Sequence, residues 1–163
     1  MESIFSQIIN KKIPCSFVAE DNHSIAFMDI NPIALGHVLV VPKIQVDYLF
    51  DLDPEIYSAL WNFSKTVAAG LKKTITCNRI GVSVIGLEVP HAHIHLVPIN
   101  TVSDMDFSKK IDISSDALEL FSAKFIKLLL VPPNILTPNL STIEALISKF
   151  SKSCVVLNAD EPE

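Results

Sequence analysis

The sequence predicts an α+β domain: about five mostly antiparallel strands packed with one long and one short helix, plus an additional C-terminal helical extension. Three observations carry this. The strand-like runs "CSFVAE", "SIAFMDI" and "HVLVVP" crowd into residues 15–42, too close together for parallel crossovers, so they read as an antiparallel meander. An amphipathic helix, "LDPEIYSALWNFSKTVAAGLKKT", follows over 52–74. Two more strand runs, "RIGVSVIG" and "VPHAHIHLVPI", come after it, and strands clustered around one long helix are the pattern of an α+β layer fold.

Each element has a local reason. "SIFSQIINKK" places Ile4, Phe5, Ile8 and Ile9 on one helical face; Ser3 is placed to cap it and Pro14 marks the exit. Residues 21–23, "DNH", read as a turn. "NPIALG" carries Asn31-Pro32 and Gly36, both loop punctuation. Residues 37–42 are β-branched and apolar, suited to a buried strand. In the long helix Asp53 can cap and Pro54 suits the first turn. Tyr57, Leu60, Trp61, Val67, Ala68 and Leu71 form its apolar stripe, and Lys72 and Lys73 suit its negative end. A polar, partly acidic loop fills residues 100–113. "SSDALELFSAKFIKLLL" is a further helix with Ser115 as cap and Asp116 in its first turn. Beyond residue 131 the chain is Pro-rich; a capping-box pattern from Ser141 to Glu144 marks a short helix, and "NADEPE" is expected to be disordered.

Composition excludes several classes. The chain is 163 residues long, 49% hydrophobic, with mean hydropathy +0.40. It has no apolar run of about 18 residues, so no membrane span is expected. "MESIFSQIINKK" lacks the basic start and apolar core of a signal peptide, and a cytoplasmic location is expected. The net charge of −5 argues against binding the nucleic-acid backbone. The three cysteines, Cys15, Cys77 and Cys154, form no disulfide framework or C-x-x-C pair.

Three of the five histidines lie at alternate positions in "HAHIHLVP", residues 91–98. On a strand, His91, His93 and His95 share one face, with Ala92, Ile94 and Leu96 on the other. Three uses compete. The row can be an inert polar face. It can ligate a metal, although His91 and His95 would be roughly 13 Å apart at Cα on a strand, at about 3.3 Å per residue, while ligand nitrogens must all reach about 2.1 Å from the ion. Or it can be catalytic: neutral imidazole is a nucleophile near neutral pH, flanking rings can donate hydrogen bonds to an attacked anion, and phosphorus is a natural electrophile.

Four blocks in order resemble a known family. "HAHIHLVP" resembles the His-φ-His-φ-His-φ-φ signature of the histidine triad (HIT) family of nucleotide hydrolases and transferases. "SIFSQIINKKIP", "SIAFMDINPIALGHVLVVPK" with its G-H-x-L-V-x-P-K pattern, and "GLEVPHAHIHLVP" resemble the family's N-terminal helix, second block and final strand in small bacterial-type members. The resemblance covers about residues 3–122. It implies a HIT domain over 1–125 and a C-terminal extension of uncertain structure over 126–163. It implies His93 as the nucleophile on an α-phosphorus, His95 as the binder of a non-bridging oxygen, and His91 and His37 as supports. Phe5, Ile8, Phe27 and Ile30 match the base and ribose cleft, Asp29 the carboxylate that receives the ribose hydroxyls, and Ser83, Gly86, Leu87 and Glu88 the phosphate side. Read without the family, His37 is a buried histidine at a strand start, Asp29 a turn residue, and the apolar positions ordinary core.

Two departures stand out. Leu87 and Ser83 replace the Gln and Asn of many relatives, which leaves phosphate contacts at residue 87 to the backbone. Ser3, Ser6 and Gln45 stand where some relatives hold a structural zinc, so no metal or cofactor is expected. The third histidine, His95, points to a hydrolase rather than a transferase. The resemblance therefore implies hydrolysis of nucleoside phosphoramidates or dinucleoside polyphosphates, through a nucleotidyl-histidine, to a nucleoside monophosphate. The implied partners are a purine nucleotide substrate and a second copy of the chain in a homodimer, with no nucleic acid and no membrane. The alternative is a nucleotide-binding interaction protein with little turnover.

Overall fold

Five antiparallel strands form one sheet in the order β1-β2-β3-β5-β4, in a computed structural model that describes residues 1–130. The elements run α1 (Ile4–Ile9), β1 (Phe17–Glu20), β2 (Ser24–Met28), β3 (Val38–Pro42), α2 (Pro54–Thr74), β4 (Arg79–Ser83), β5 (Ile94–Ile99) and α3 (Ser115–Leu130), with short 3₁₀ turns at Leu49–Asp51 and Val102–Met105. The expected α+β architecture is present: β1, β2 and β3 form the antiparallel meander, and β5 inserts between β3 and β4. The expected capping box at Ser141 and the C-terminal "NADEPE" lie outside the described residues.

Strand alternation divides the sheet into two faces. Ala26, Met28, Val38, Val40, Ile94 and Leu96 meet Leu60, Val67 and Leu71 of α2 and Leu118, Phe121 and Phe125 of α3. Each fully buried aliphatic or aromatic side chain there stabilises by about 1.5–3 kcal/mol. The opposite face carries Ile25, Phe27, Leu39 and Val41, covered by Phe5 of α1 with Ile8 and Ile9 at its margin. The register sets Phe27, Leu39, His95 and Ser83 side by side across this second face. Two layers of helix thus use both sides of the sheet, and α1 is the thinner layer.

Several local expectations are corrected. β5 begins at Ile94, so His91 and His93 precede the strand rather than lie on it. Asp53 is at the N-cap of α2 but its side chain makes no capping hydrogen bond; Pro54 at the first helical position brings the fixed φ that suits a helix start. The cap of α3 is Ser114, whose Oγ accepts from Ala117 N at 3.3 Å, and not Ser115. On α1, Ile4 is exposed and Ser6 is buried, because Ser6 Oγ donates to Gln45 Oε1 at 2.7 Å. On α2, Phe63 and Ser64 join the buried face; Ser64 satisfies its hydroxyl on the Leu60 carbonyl at 2.8 Å.

The turn into β3 rests on Gly36. Its φ is +83°, and a Cβ there would stand 2.2 Å from Ile75 Cδ1, 3.2 Å from Phe121 Cζ and 3.3 Å from Pro98 Cγ. Gly86 also has a positive φ, +69°, but open space around it. Gly36→Ala is therefore expected to cost about 2–4 kcal/mol, combining left-handed strain with overpacking. Gly86→Ala should cost only the strain, about 1–2 kcal/mol. Urea unfolding of both variants checks this, and equal losses would contradict it.

Candidate active site

Four histidine rings gather on the α1 side of the sheet, at the entry to β3 and β5. His37, His91, His93 and His95 are all buried. Ala92, Ile94 and Leu96 are anchored in the α2 core, so alternation turns the histidines to the other side even where the chain is not yet a strand. Phe5 stands edge-on to His93 with ring centroids 5.0 Å apart, and to Phe27 at 5.5 Å. The His93 and His95 rings lie 4.8 Å apart.

Hydrogen bonds fix which nitrogen of each ring carries the proton. His93 Nδ1 is 2.7 Å from the His91 carbonyl. A carbonyl only accepts, so Nδ1 donates, and in the neutral ring Nε2 keeps its lone pair. Ile33 N–H donates to His37 Nδ1 at 3.3 Å. In neutral His37 the proton then sits on Nε2, which donates to His95 Nδ1 at 2.9 Å. His95 in turn carries its proton on Nε2. The row therefore offers one lone pair, on His93, beside one N–H donor, on His95.

The electrostatics favour neutral rings at His37, His91 and His95. Burial lowers the pKa of His37 against the opposing pull of the Asp29 carboxylate, with His93 lowering it further. Burial also lowers His91, although its bond to the Pro42 carbonyl raises it. His95 falls to about 3, first from burial and then from the neighbouring His93 and His37. Asp29 Oδ2 lies 3.5 Å from His37 Nδ1 and Oδ1 accepts from Asn31 N at 2.8 Å; it acts both as a turn residue and as a carboxylate beside the histidines.

The remaining expected residues divide. Phe5 and Phe27 are buried and Ile8 is half-buried in the same cluster. Ser83 pairs with His95 in the register and is half-buried. Ile30 and Leu87 are 72% and 89% exposed, and Glu88 is exposed too, so the structure packs none of these three into either core. One ring was not foreseen: Phe107 lies edge-on to His95 at 5.0 Å and to His37 at 6.0 Å. It follows a 3₁₀ turn held by Asp104, whose carboxylate accepts from the backbone of Asn100 and Thr101. An aromatic residue inside a polar loop was its only sequence signal.

Among the described residues, one group of side chains has the geometry to hold a metal. Asp29, His37 and His95 offer ligand atoms all within 4.8 Å of one another, but His37 Nε2 and His95 Nδ1 already share a hydrogen bond. Ser3, Ser6 and Gln45 converge beside His91. That donor set does not fit structural zinc, which takes thiolate, imidazole or carboxylate; hydroxyls and an amide oxygen are poor substitutes.

The lowered histidine pKa values predict acid sensitivity. Each of His37, His91 and His95 titrates near 6.5 when unfolded but lower when folded. Below about pH 6.5 the unfolded chain binds more protons, so this stability is fully present above the unfolded value and is lost as pH falls toward the folded one. Urea unfolding should show stability dropping between about pH 6.5 and 5, above the usual carboxylate range. A flat profile there would contradict the neutral, buried row.

Comparison with known proteins accounts for this arrangement. A family model described as the HIT domain matches residues 10–102, more than half of the chain. The purine nucleoside phosphoramidase of Escherichia coli is 36% identical over 107 residues, covering 59% of this chain and 86% of that protein. The adenosine 5'-monophosphoramidase of Saccharomyces cerevisiae is 34% identical over 96 residues, covering 58% and 61%. The crystal structure of a HIT-like protein from Bartonella henselae superposes with a TM-score of 0.68 at 30% identity, over 77% of this chain and 95% of that one. With the model match taking in His37 and the whole row from His91 to His95, the chain belongs to the HIT family.

Proposed function

We propose that the protein hydrolyses nucleotidyl bonds at an α-phosphate, with purine nucleoside phosphoramidates as the favoured substrates. The observation that carries this is the fixed tautomer of His93: Nδ1 is committed to the His91 carbonyl at 2.7 Å, which leaves Nε2 as the lone pair facing away from it. In the first step Nε2 bonds to the α-phosphorus as the bond to the leaving nitrogen breaks. The departing amine takes that electron pair and a proton from solvent. In the second step a water oxygen bonds to phosphorus and gives one proton back to solvent, the P–N pair returns to Nε2, and a nucleoside monophosphate leaves.

The surrounding residues have supporting roles in this scheme. His95 Nε2–H donates to a non-bridging oxygen, where a donor matched to developing charge is worth about 3–4 kcal/mol. His37 orients His95, and Asp29, 3.5 Å from His37 Nδ1, is assigned the ribose hydroxyls. Phe5, Ile8 and Phe27, with Ile30 at the exposed margin, are assigned to the base and ribose, and the segment of Ser83, Gly86, Leu87 and Glu88 to the phosphates. No step needs a metal. The names of two relatives, phosphoramidases for purine nucleosides and for adenosine 5'-monophosphate, support the substrate class. Dinucleoside polyphosphates share the same α-phosphate and are the second class to test.

The proposal extends to assembly and place. β4 is an edge strand, and Val82, Val84, Ile85 and Leu87 are exposed along and beyond it. An exposed apolar edge favours pairing with a second copy, so we propose a homodimer across β4. No described helix is long and apolar enough to cross a membrane, which fits a cytoplasmic enzyme.

Incubation with adenosine phosphoramidate should release AMP. His93→Ala should lower turnover at least about a thousandfold, as loss of a nucleophile does, and His95→Ala about a hundredfold to a thousandfold. Turnover equal in wild type and His93→Ala would overturn the mechanism. Nucleotide binding without AMP release would favour the interaction-protein alternative.

A further inference from the structure

A buried polar cluster lies behind the histidine row, and the proposed reaction has no use for it as chemistry. Ser3 is 4% exposed and His91 is fully buried. They are 88 positions apart in sequence, yet Ser3 Oγ lies 2.7 Å from His91 Nδ1. The hydrogen-bond directions in this cluster can be worked out from the acceptors that have no proton to give. His91 Nε2 is 2.8 Å from the Pro42 carbonyl, so Nε2 donates. In the neutral ring Nδ1 is then an acceptor and needs a donor.

Only one nearby hydroxyl is available. Ser6 Oγ is 3.4 Å from Nδ1, but its proton goes to Gln45 Oε1 at 2.7 Å. Gln45 Oε1 also accepts from Ser3 N at 2.9 Å, and Gln45 Nε2 donates to the Met1 carbonyl at 3.0 Å, which orients the amide. Ser3 Oγ accepts from Ser6 N at 3.0 Å; its one proton has two acceptors in reach, Ser6 Oγ at 3.1 Å and His91 Nδ1 at 2.7 Å, and the shorter contact to a buried ring nitrogen with no other donor places it on His91. Ser3 is the N-cap of α1 and the hydrogen-bond donor to the first triad histidine at once.

We infer that Ser3 is a positioning residue for the nucleophile: by holding His91 at Nδ1 while Pro42 holds Nε2, it fixes the His91 main chain whose carbonyl selects the His93 tautomer. The link to His93 rests on the proposed mechanism; the link to His91 stands without it. A buried ring anchored at both nitrogens cannot turn or swap its proton without leaving a polar atom unsatisfied. The His91 carbonyl accepts from His93 Nδ1 at 2.7 Å, so any movement of residue 91 is passed to the nucleophile. Gln45 acts one step further back, by taking the Ser6 proton and so leaving Ser3 as the donor to His91 Nδ1.

Three substitutions separate this from a simple role in seating α1, which also carries Phe5 against His93. Ser3→Gly removes the hydroxyl while weakening the helix cap only slightly. Ser3→Thr keeps both the hydroxyl and the cap. Ser3→Asp keeps a capping acceptor but replaces the donor with an acceptor. In full-length protein labelled with ¹⁵N-histidine, the wild type should show His91 with a bare Nδ1 and a protonated Nε2 at neutral pH. Ser3→Asp should show both nitrogens protonated. With adenosine phosphoramidate, Ser3→Gly should lower kcat about tenfold, the effect of one lost buried hydrogen bond on the reacting geometry. KM should stay within about twofold, because the apolar cleft is retained, and Ser3→Thr should restore kcat. A protonated Nδ1 in wild-type His91 would overturn the inference, as would a Ser3→Gly variant with raised KM and unchanged kcat. If the wild type releases no AMP, the hydrolase reading fails, while the ¹⁵N spectra still decide whether Ser3 sets the His91 proton.

Discussion

Four imidazoles packed out of water cannot all carry charge, and this constraint organises the region around them. His37, His91 and His95 have pKa values pushed down by burial, His95 to about 3. A neutral imidazole has one donor and one acceptor, and each buried one needs a partner. Backbone groups supply most of them: the Pro42 carbonyl for His91, the His91 carbonyl for His93, and the Ile33 N–H for His37. The side-chain links, Ser3 to His91 and His37 to His95, serve the rest, apart from His93 Nε2 and His95 Nε2. The result is a row whose protons are placed by the fold before any substrate arrives.

The fold puts these partners in reach from distant parts of the chain. β3 and β5 are hydrogen-bonded neighbours, so His37 at the start of one meets His95 on the other. The chain from residue 91 runs into β5 with Ala92, Ile94 and Leu96 locked under α2, which fixes the direction of the histidines between them. Gly36 lets the backbone turn under Ile75 and Phe121 immediately before His37. Through that contact Phe121 of α3 backs the turn that leads into His37. Core packing on one face of the sheet thereby becomes positional accuracy on the other.

Much of this was legible in the sequence, because the signals were local. Alternation across "HAHIHLVP" separated histidine from core, and it held even though His91 and His93 lie ahead of β5. The close spacing of the first three strands fixed an antiparallel meander. Pro54 marked the start of α2. The missed features depend on tertiary contact. The Ser3 hydroxyl serves His91 rather than solvent only because α1 folds across the sheet. Ser114 rather than Ser115 caps α3, a choice between adjacent serines that composition does not make. Phe107 reaches His95 and His37 because a 3₁₀ turn in the polar loop sends it back, and neither periodicity nor charge marked that turn.

The central claim is that His93 Nε2 forms the covalent bond to phosphorus. Rapid acid-free quenching during turnover of an adenosine phosphoramidate, followed by peptide mass spectrometry, tests it most directly. The account predicts an adenylyl adduct on the peptide carrying residues 91–95, assigned by fragmentation to His93 and lost on standing in acid. An adduct on another residue, or steady release of AMP with no adduct at any quench time in a slow variant that retains His93, would contradict it.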